Sequence, residues 1–281
     1  MGAAPKRWSW RLTALAALSA CLHAQWLDQP DPGTPRTRDG QPELSAPAPR
    51  TSSGKPDLSG IWEPESATRQ ELLRFFFDGI NNAGEDSPSR YFMNILFDFK
   101  PEDVPLRPSA VPIFQRNRAG LAKDISSTRC LPFGIPLVDT AASPYKIFQI
   151  PQEIVMLYEQ NTSFRQIYMD GRKLPEDPQP SWMGYSVGRW DGDALVVDTA
   201  GLNDRTWLDA FGHPHSEAMH VTERFHRREF GHMELQITVD DPKMYTRPFT
   251  IKLNLRLFPD TDLIETFCAE NERDLRHIQA K

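Results

Sequence analysis

The densest chemistry in the chain lies between Asn203 and Glu223, where Asp204, Arg205, Asp209, His213, His215 and Glu223 fall within one short stretch. His213-Pro214-His215 puts two imidazoles on the same side of an extended backbone, about 7 Å apart at Cα. A carboxylate beside them would complete either a metal site or an acid/base pair. The candidate catalytic residues are therefore His213 and His215, with Asp204 or Glu223 as partner. The pattern names neither a metal nor a cofactor. Pro214 suits a loop better than a strand, so these histidines also fit a polar loop at a barrel mouth, where they would serve as hydrogen-bonding groups.

Glu223 has two readings of its own. In the alternation from Met219 it shares a face with Val221 and Phe225, which places a carboxylate among interior neighbours. A buried carboxylate must be paired or protonated. It is either a ligand-contacting base or the partner of a strand arginine such as Arg165 or Arg189. Asp170 and Arg172 read as turn residues. Candidate ligand contacts are Trp182, Tyr185, Trp190, Arg205 and Trp207, aromatic residues and one cation able to line an apolar pocket. Gly-rich phosphate loops and His-Glu-x-x-His are missing from the sequence.

The elements that must position these groups are mostly strands. After Pro144, runs rich in β-branched and aromatic residues follow one another: 145–150, 153–160, 164–169, 183–190, 194–199, 220–227, 233–239, 249–258 and 263–270, with one more at 59–63. Alternation is clearest in Met233, Leu235, Ile237, Val239 and in Phe249, Ile251, Leu253, Leu255, Leu257. Asp170-Gly171, Asp191-Gly192 and the Pro259–Asp262 turn predict hairpins. Ten antiparallel strands must dispose of their edges, so the fold class expected is mainly β, an antiparallel meander closed or rolled into a barrel. Residues 66–126 predict a helical or irregular insertion after the first strand. It would contain a capping box at Thr68/Glu71 and a second helix from Ala110 or Pro112 to Lys123.

Residues 1–20 combine Lys6, Arg7 and Arg11 with the apolar run Leu12–Ala20, the layout of a secretory signal peptide. Leu18-Ser19-Ala20-Cys21 resembles the lipobox of bacterial lipoproteins, which implies lipidation at Cys21. With Cys21 so used or lost, Cys130 and Cys268 remain, and in an oxidising compartment they predict one disulfide. Seven prolines between residues 22 and 57, with few apolar residues, predict a disordered tether over 21–57, followed by a single domain at 58–281. The whole chain of 281 residues carries a net charge of −6, giving no basic excess to neutralise phosphates, so nucleic acid is not an expected partner. A membrane is expected to be met through the lipid anchor at most.

Two resemblances add to this. Gly60-Ile61-Trp62, ahead of an antiparallel meander, resembles the Gly-x-Trp signature of lipocalins and related calycin barrels, which implies a lipocalin-like barrel. The elements 54–62 (GKPDLSGIW), 129–136 (RCLPFGIP), 164–172 (FRQIYMDGR), 206–209 (TWLD) and 213–217 (HPHSE) resemble an uncharacterised family of exported bacterial proteins. That implies export and a shared architecture, and no activity. The function expected is therefore an exported protein of the periplasm or outer membrane that binds a small apolar or aromatic ligand in a β-barrel cavity. The alternative is a periplasmic hydrolase, lyase or isomerase using the His/Asp/Glu cluster at the barrel mouth.

Overall fold

The computed structural model describes residues 30–74, 87–120 and 123–268. The expected signal peptide, the expected lipidation site Cys21 and the last part of the expected strand 263–270 lie outside these residues.

Nine strands close into one barrel in simple sequence order. They are β1 (Gly60–Pro64), β2 (Tyr145–Ile150), β3 (Glu153–Tyr158), β4 (Ser163–Tyr168), β5 (Tyr185–Asp191), β6 (Ala194–Ala200), β7 (His220–Glu229), β8 (His232–Asp240) and β9 (Phe249–Leu257). Between β1 and β2 come α1 (Arg69–Leu73), α2 (Arg90–Met93), α3 (Val111–Ala119) and α4 (Leu137–Thr140). The lipocalin-like barrel and its helical insertion are thus present. Alternation builds the strands as expected: in β9 every second residue, from Phe249 to Leu257, is buried. The capping box of α1 forms in both directions, Thr68 N donating to Glu71 Oε2 at 2.8 Å and Glu71 N to Thr68 Oγ1 at 3.2 Å.

Closure imposes a parity rule. Passing once round a barrel, strand direction must return to itself, so the number of antiparallel pairings is even. Nine strands therefore require a parallel pair, and it falls between β4 and β5, registered only at Ile167↔Ser186 and Tyr168↔Val187. The expected hairpin at Asp170-Gly171 is accordingly not made. Residues 169–184 instead run back along the barrel, as a parallel connection must. The tenth strand is also absent over 263–268, because β9 already pairs with β1 and no edge is left to receive it. This segment is tied down by Lys146–Asp262 (2.8 Å), Thr266 N to Thr162 Oγ1 (3.2 Å) and the Cys130–Cys268 disulfide.

Residues 30–57 correct the expected tether. Two tight turns are bridged at Arg36↔Pro42 and Arg50↔Pro56, and the segment between them lies over the β7–β8 turn, where Phe230 N donates to Ala46 O at 2.7 Å and Gly231 N to Leu44 O at 2.8 Å. A Cβ on Gly231 would stand 2.5 Å from that of Leu44, so only glycine admits this approach. The proline-rich stretch has no core of its own and is ordered by docking onto one. At the same barrel end Trp62 is fully buried, donates Nε1–H to Leu58 O at 2.9 Å and lies 4.9 Å beneath the Arg227 guanidinium.

The topology sends the insertion and the loops 159–162, 201–219 and 241–248 to the opposite end, the mouth. The barrel interior is filled. The gap among Ile147, Ile154, Met156, Ile167, Leu195 and Phe225 has no room for a water molecule, so it is no ligand cavity.

The disulfide closes a loop with a sequence separation of 138. On the chain-entropy argument, replacing both cysteines by serine should cost about 5 kcal/mol. Denaturant unfolding under non-reducing conditions checks this, and an unchanged midpoint would show that the bond adds nothing.

Candidate functional site

At the mouth, α3 packs across the loop 207–214. The loop is pinched by a bridge between Trp207 and Pro214 and by Leu208 N donating to His213 O at 2.9 Å. Gly212 turns it at φ +95, with space for a Cβ only 2.6 Å from that of Asn117, and Asn117 Nδ2 donates to Gly212 O at 3.0 Å. Here a side chain would exclude the helix.

Asp209, fully buried, is the hub of this loop. It accepts from Ile95 N at 2.7 Å, Gly212 N at 2.9 Å and His213 N at 3.1 Å, and it also holds His213 Nδ1. The His213 ring, 5 % exposed, stacks on Phe114 of α3 with centroids 4.4 Å apart and planes 17° from parallel. With Nδ1–H donated to Asp209, neutral His213 presents Nε2 as an acceptor. Both rings border a groove of about 590 Å³ whose wall also includes Leu96, Phe99, Leu106 and Arg118. A carboxylate-held imidazole on an apolar groove can accept a hydrogen bond from a ligand or take a proton from it.

The predicted site residues divide among different places. His213 faces the groove, paired with Asp209 and with neither Asp204 nor Glu223. His215 is buried elsewhere: its Nε2 has no partner among the described residues, and burial lowers its pKa. Asp204 is exposed and acts on His215 through its charge alone. Arg205 is exposed and forms a turn, its N–H donating to Asn203 Oδ1 at 3.0 Å. Trp207 belongs to the core. Trp182 and Tyr185 line a different groove, of about 510 Å³, at the β4–β5 seam. Trp190 lies apart from both, 6.0 Å under Lys55 Nζ. No three His, Cys, Asp or Glu side chains among the described residues are grouped to hold a metal ion.

Glu223 is the partner of Arg165 inside the barrel. It takes Nη1 at 3.0 Å and also Nη2, while Arg165 Nε donates to Ser186 Oγ at 3.0 Å and Nη2 to Thr199 Oγ1 at 2.7 Å. Asp139, on α4, brings a second carboxyl within 4.0 Å of the same guanidinium and accepts from Tyr158 OH at 2.9 Å. Two carboxyls share one cation in a dry interior. Burial, then the charge of Glu223, pushes Asp139 up to about 8, against the pull of Arg165. Tyr145 OH completes the cluster with no hydrogen-bond partner among the described residues, and Asp139 Oδ2 has only its charge contact with Arg165.

Phe114, Arg118 and Asp139 escaped the sequence reading, and Asp209, though named in the cluster, was not read as the partner of His213. Two signals existed: Asp209 stands four residues before His213, and Asp139 closes the apolar run Ile135-Pro136-Leu137-Val138. For Phe114 and Arg118 nothing local marks the loop they meet.

Comparison with known proteins returns no matching family model, no matching curated protein and no matching solved structure.

Asp139 has a consequence for stability. Folded, it keeps a proton that the unfolded chain releases near pH 4, so its contribution falls as pH rises from about 4 to about 8, by at most about 1.4 kcal/mol per pH unit. His215 acts in the opposite sense, its lowered pKa costing stability as pH falls below about 6.5. The difference between wild type and Asp139→Asn in urea unfolding at pH 5, 6.5 and 8 isolates the first effect. The variant should lose the decline with pH, and parallel curves would remove Asp139 as its source.

Proposed function

We propose that this is an exported protein, lipid-anchored at Cys21, that binds a small apolar or aromatic molecule in the mouth groove. The observation that carries the reading is the Phe114–His213 stack, a flat aromatic wall with one fixed polar atom beside an open space of about 590 Å³. Such sites bury an apolar body and orient it by a few polar contacts. The filled barrel interior moves the binding site from the cavity implied by a lipocalin-like barrel to the rim where the insertion meets it. Export is supported by the leader pattern and by the Cys130–Cys268 bond, since disulfides persist in oxidising compartments.

One observation favours a second reading, an acid/base enzyme of the hydrolase, lyase or isomerase kind. Asp209 fixes the His213 tautomer, which a general base needs and a merely apolar pocket does not.

The neutral fluorophore N-phenyl-1-naphthylamine tests the binding reading. Val111, half-buried, lines the groove at the start of α3. Val111→Trp should weaken binding by about tenfold or more, the loss of about 1.4 kcal/mol, while leaving the melting temperature within a few degrees. Equal affinity in wild type and a folded variant would place the probe elsewhere. For the second reading, a bound compound recovered after long incubation should be altered in mass or in its NMR spectrum with wild type and unaltered in both with His213→Gln. Unchanged compound from both proteins would leave binding alone standing.

A further inference from the structure

We propose that the mouth groove selects aromatic or apolar molecules bearing a carboxylate, with Arg118 taking the carboxylate while the ring lies along Phe114 and His213. The inference rests on the groove being the binding site proposed above.

The charge around the groove points to an anion. Its polar and charged lining consists of Asn94, Gln115, Arg118 and His213, with no Asp or Glu among the lining residues. The chain as a whole is acidic, at −6, so a cation bordering an apolar wall without an acidic neighbour in that wall runs against its average. Glu102 and Asp103 stand in the adjoining 3-10 turn, but neither lines the groove.

Arg118 is also poised geometrically. It is exposed and makes neither an ion pair nor a side-chain hydrogen bond among the described residues. Its guanidinium lies 5.2 Å from the Phe211 ring centroid and 6.0 Å from that of Phe114. Contact with aromatic faces orients the guanidinium while leaving its edge N–H donors available, the arrangement that takes a carboxylate on two parallel bonds. Phe114 and Arg118 are four residues apart on α3, so ring and cation lie on the same side of the helix, one turn from each other. A second cation reinforces the field: Arg247 lies 5.6 Å from the Phe99 ring centroid, and Phe99 lines the same groove. The groove therefore offers a flat apolar seat and a forked donor, with the Arg118 guanidinium 6.0 Å from the Phe114 ring centroid.

Titration calorimetry of the purified full chain with 2-naphthoate and with its neutral isostere 2-naphthamide tests the proposal. A hydrogen-bonded charge pair at a groove rim should favour the acid by about tenfold. Arg118→Gln should bring the acid-to-amide ratio close to one, and Arg118→Lys should keep part of the preference. If the amide and N-phenyl-1-naphthylamine bind wild type but the acid is not preferred, or if Arg118→Gln leaves the ratio unchanged, carboxylate selection is overturned and the groove reading stands. If none of the three compounds binds wild type, both readings fall.

Discussion

One buried ion pair constrains the rest of the molecule. Arg165 is among the largest fully buried side chains, and a guanidinium out of water is tolerable only when its donors are met with good geometry. Glu223 on β7, Ser186 on β5 and Thr199 on β6 meet them from three strands, and Asp139 approaches from α4. A slip of one residue in any of these strands would turn its polar group outward and strand a charge in the interior. The pair adds little stability against a well-packed apolar substitute. What it does is make alternative registers costly. It also spans the β4–β5 seam from inside, where the parallel ladder holds only two registered pairs. The α4 segment is drawn into the mouth by the same cluster, through Tyr158 and Asp139.

The candidate site inherits its geometry from that plugged mouth. With α4 seated, the insertion lies over the barrel end, and α2 and α3 press on the loop 207–214. Ala210 N donates to Phe92 O at 2.8 Å and Phe211 N to Met93 O at 3.1 Å. Asp209 then takes three backbone N–H groups and His213 Nδ1, so the imidazole sits in a loop rigid enough to define where Nε2 lies. Loops positioned by a closed scaffold are where recognition concentrates, because scaffold residues are consumed by packing. The filled barrel interior fits this division: the strands hold, and the mouth contacts.

Much of this was legible locally. The alternation of Met233 to Val239 and of Phe249 to Leu257 identifies one-sided strands without any partner in view, because burial of one face is a property of each segment. Thr68 and Glu71 announce a helix start through bonds made within four residues. Glu223 among Val221 and Phe225 signals a buried carboxylate, and Arg165 was one of its plausible partners. Cys130 and Cys268 follow from parity once Cys21 is set aside. The misses are equally specific. Asp170-Gly171 has hairpin chemistry yet ends no hairpin, since the next strand must run parallel to close an odd barrel. Residues 263–268 have strand composition but no free edge to join. Residues 30–57 look like tether because their order depends on Gly231 and Phe230, almost two hundred residues away. His213 was read with Asp204 or Glu223 as its partner, whereas the fold pairs it with Asp209.

By itself, then, the sequence determined the strand-rich class, the positions of the nine strands to within about two residues, and the inventory of groups able to do chemistry. These depend on periodicity and side-chain type, which are local. Only the tertiary structure decided the strand count and its parity, the seating of α4 against Arg165, and the meeting of Phe114, Arg118, Asp209 and His213 at one groove. Those outcomes come from closing a barrel and satisfying a buried charge, conditions imposed on the whole chain at once and written in no single segment of it.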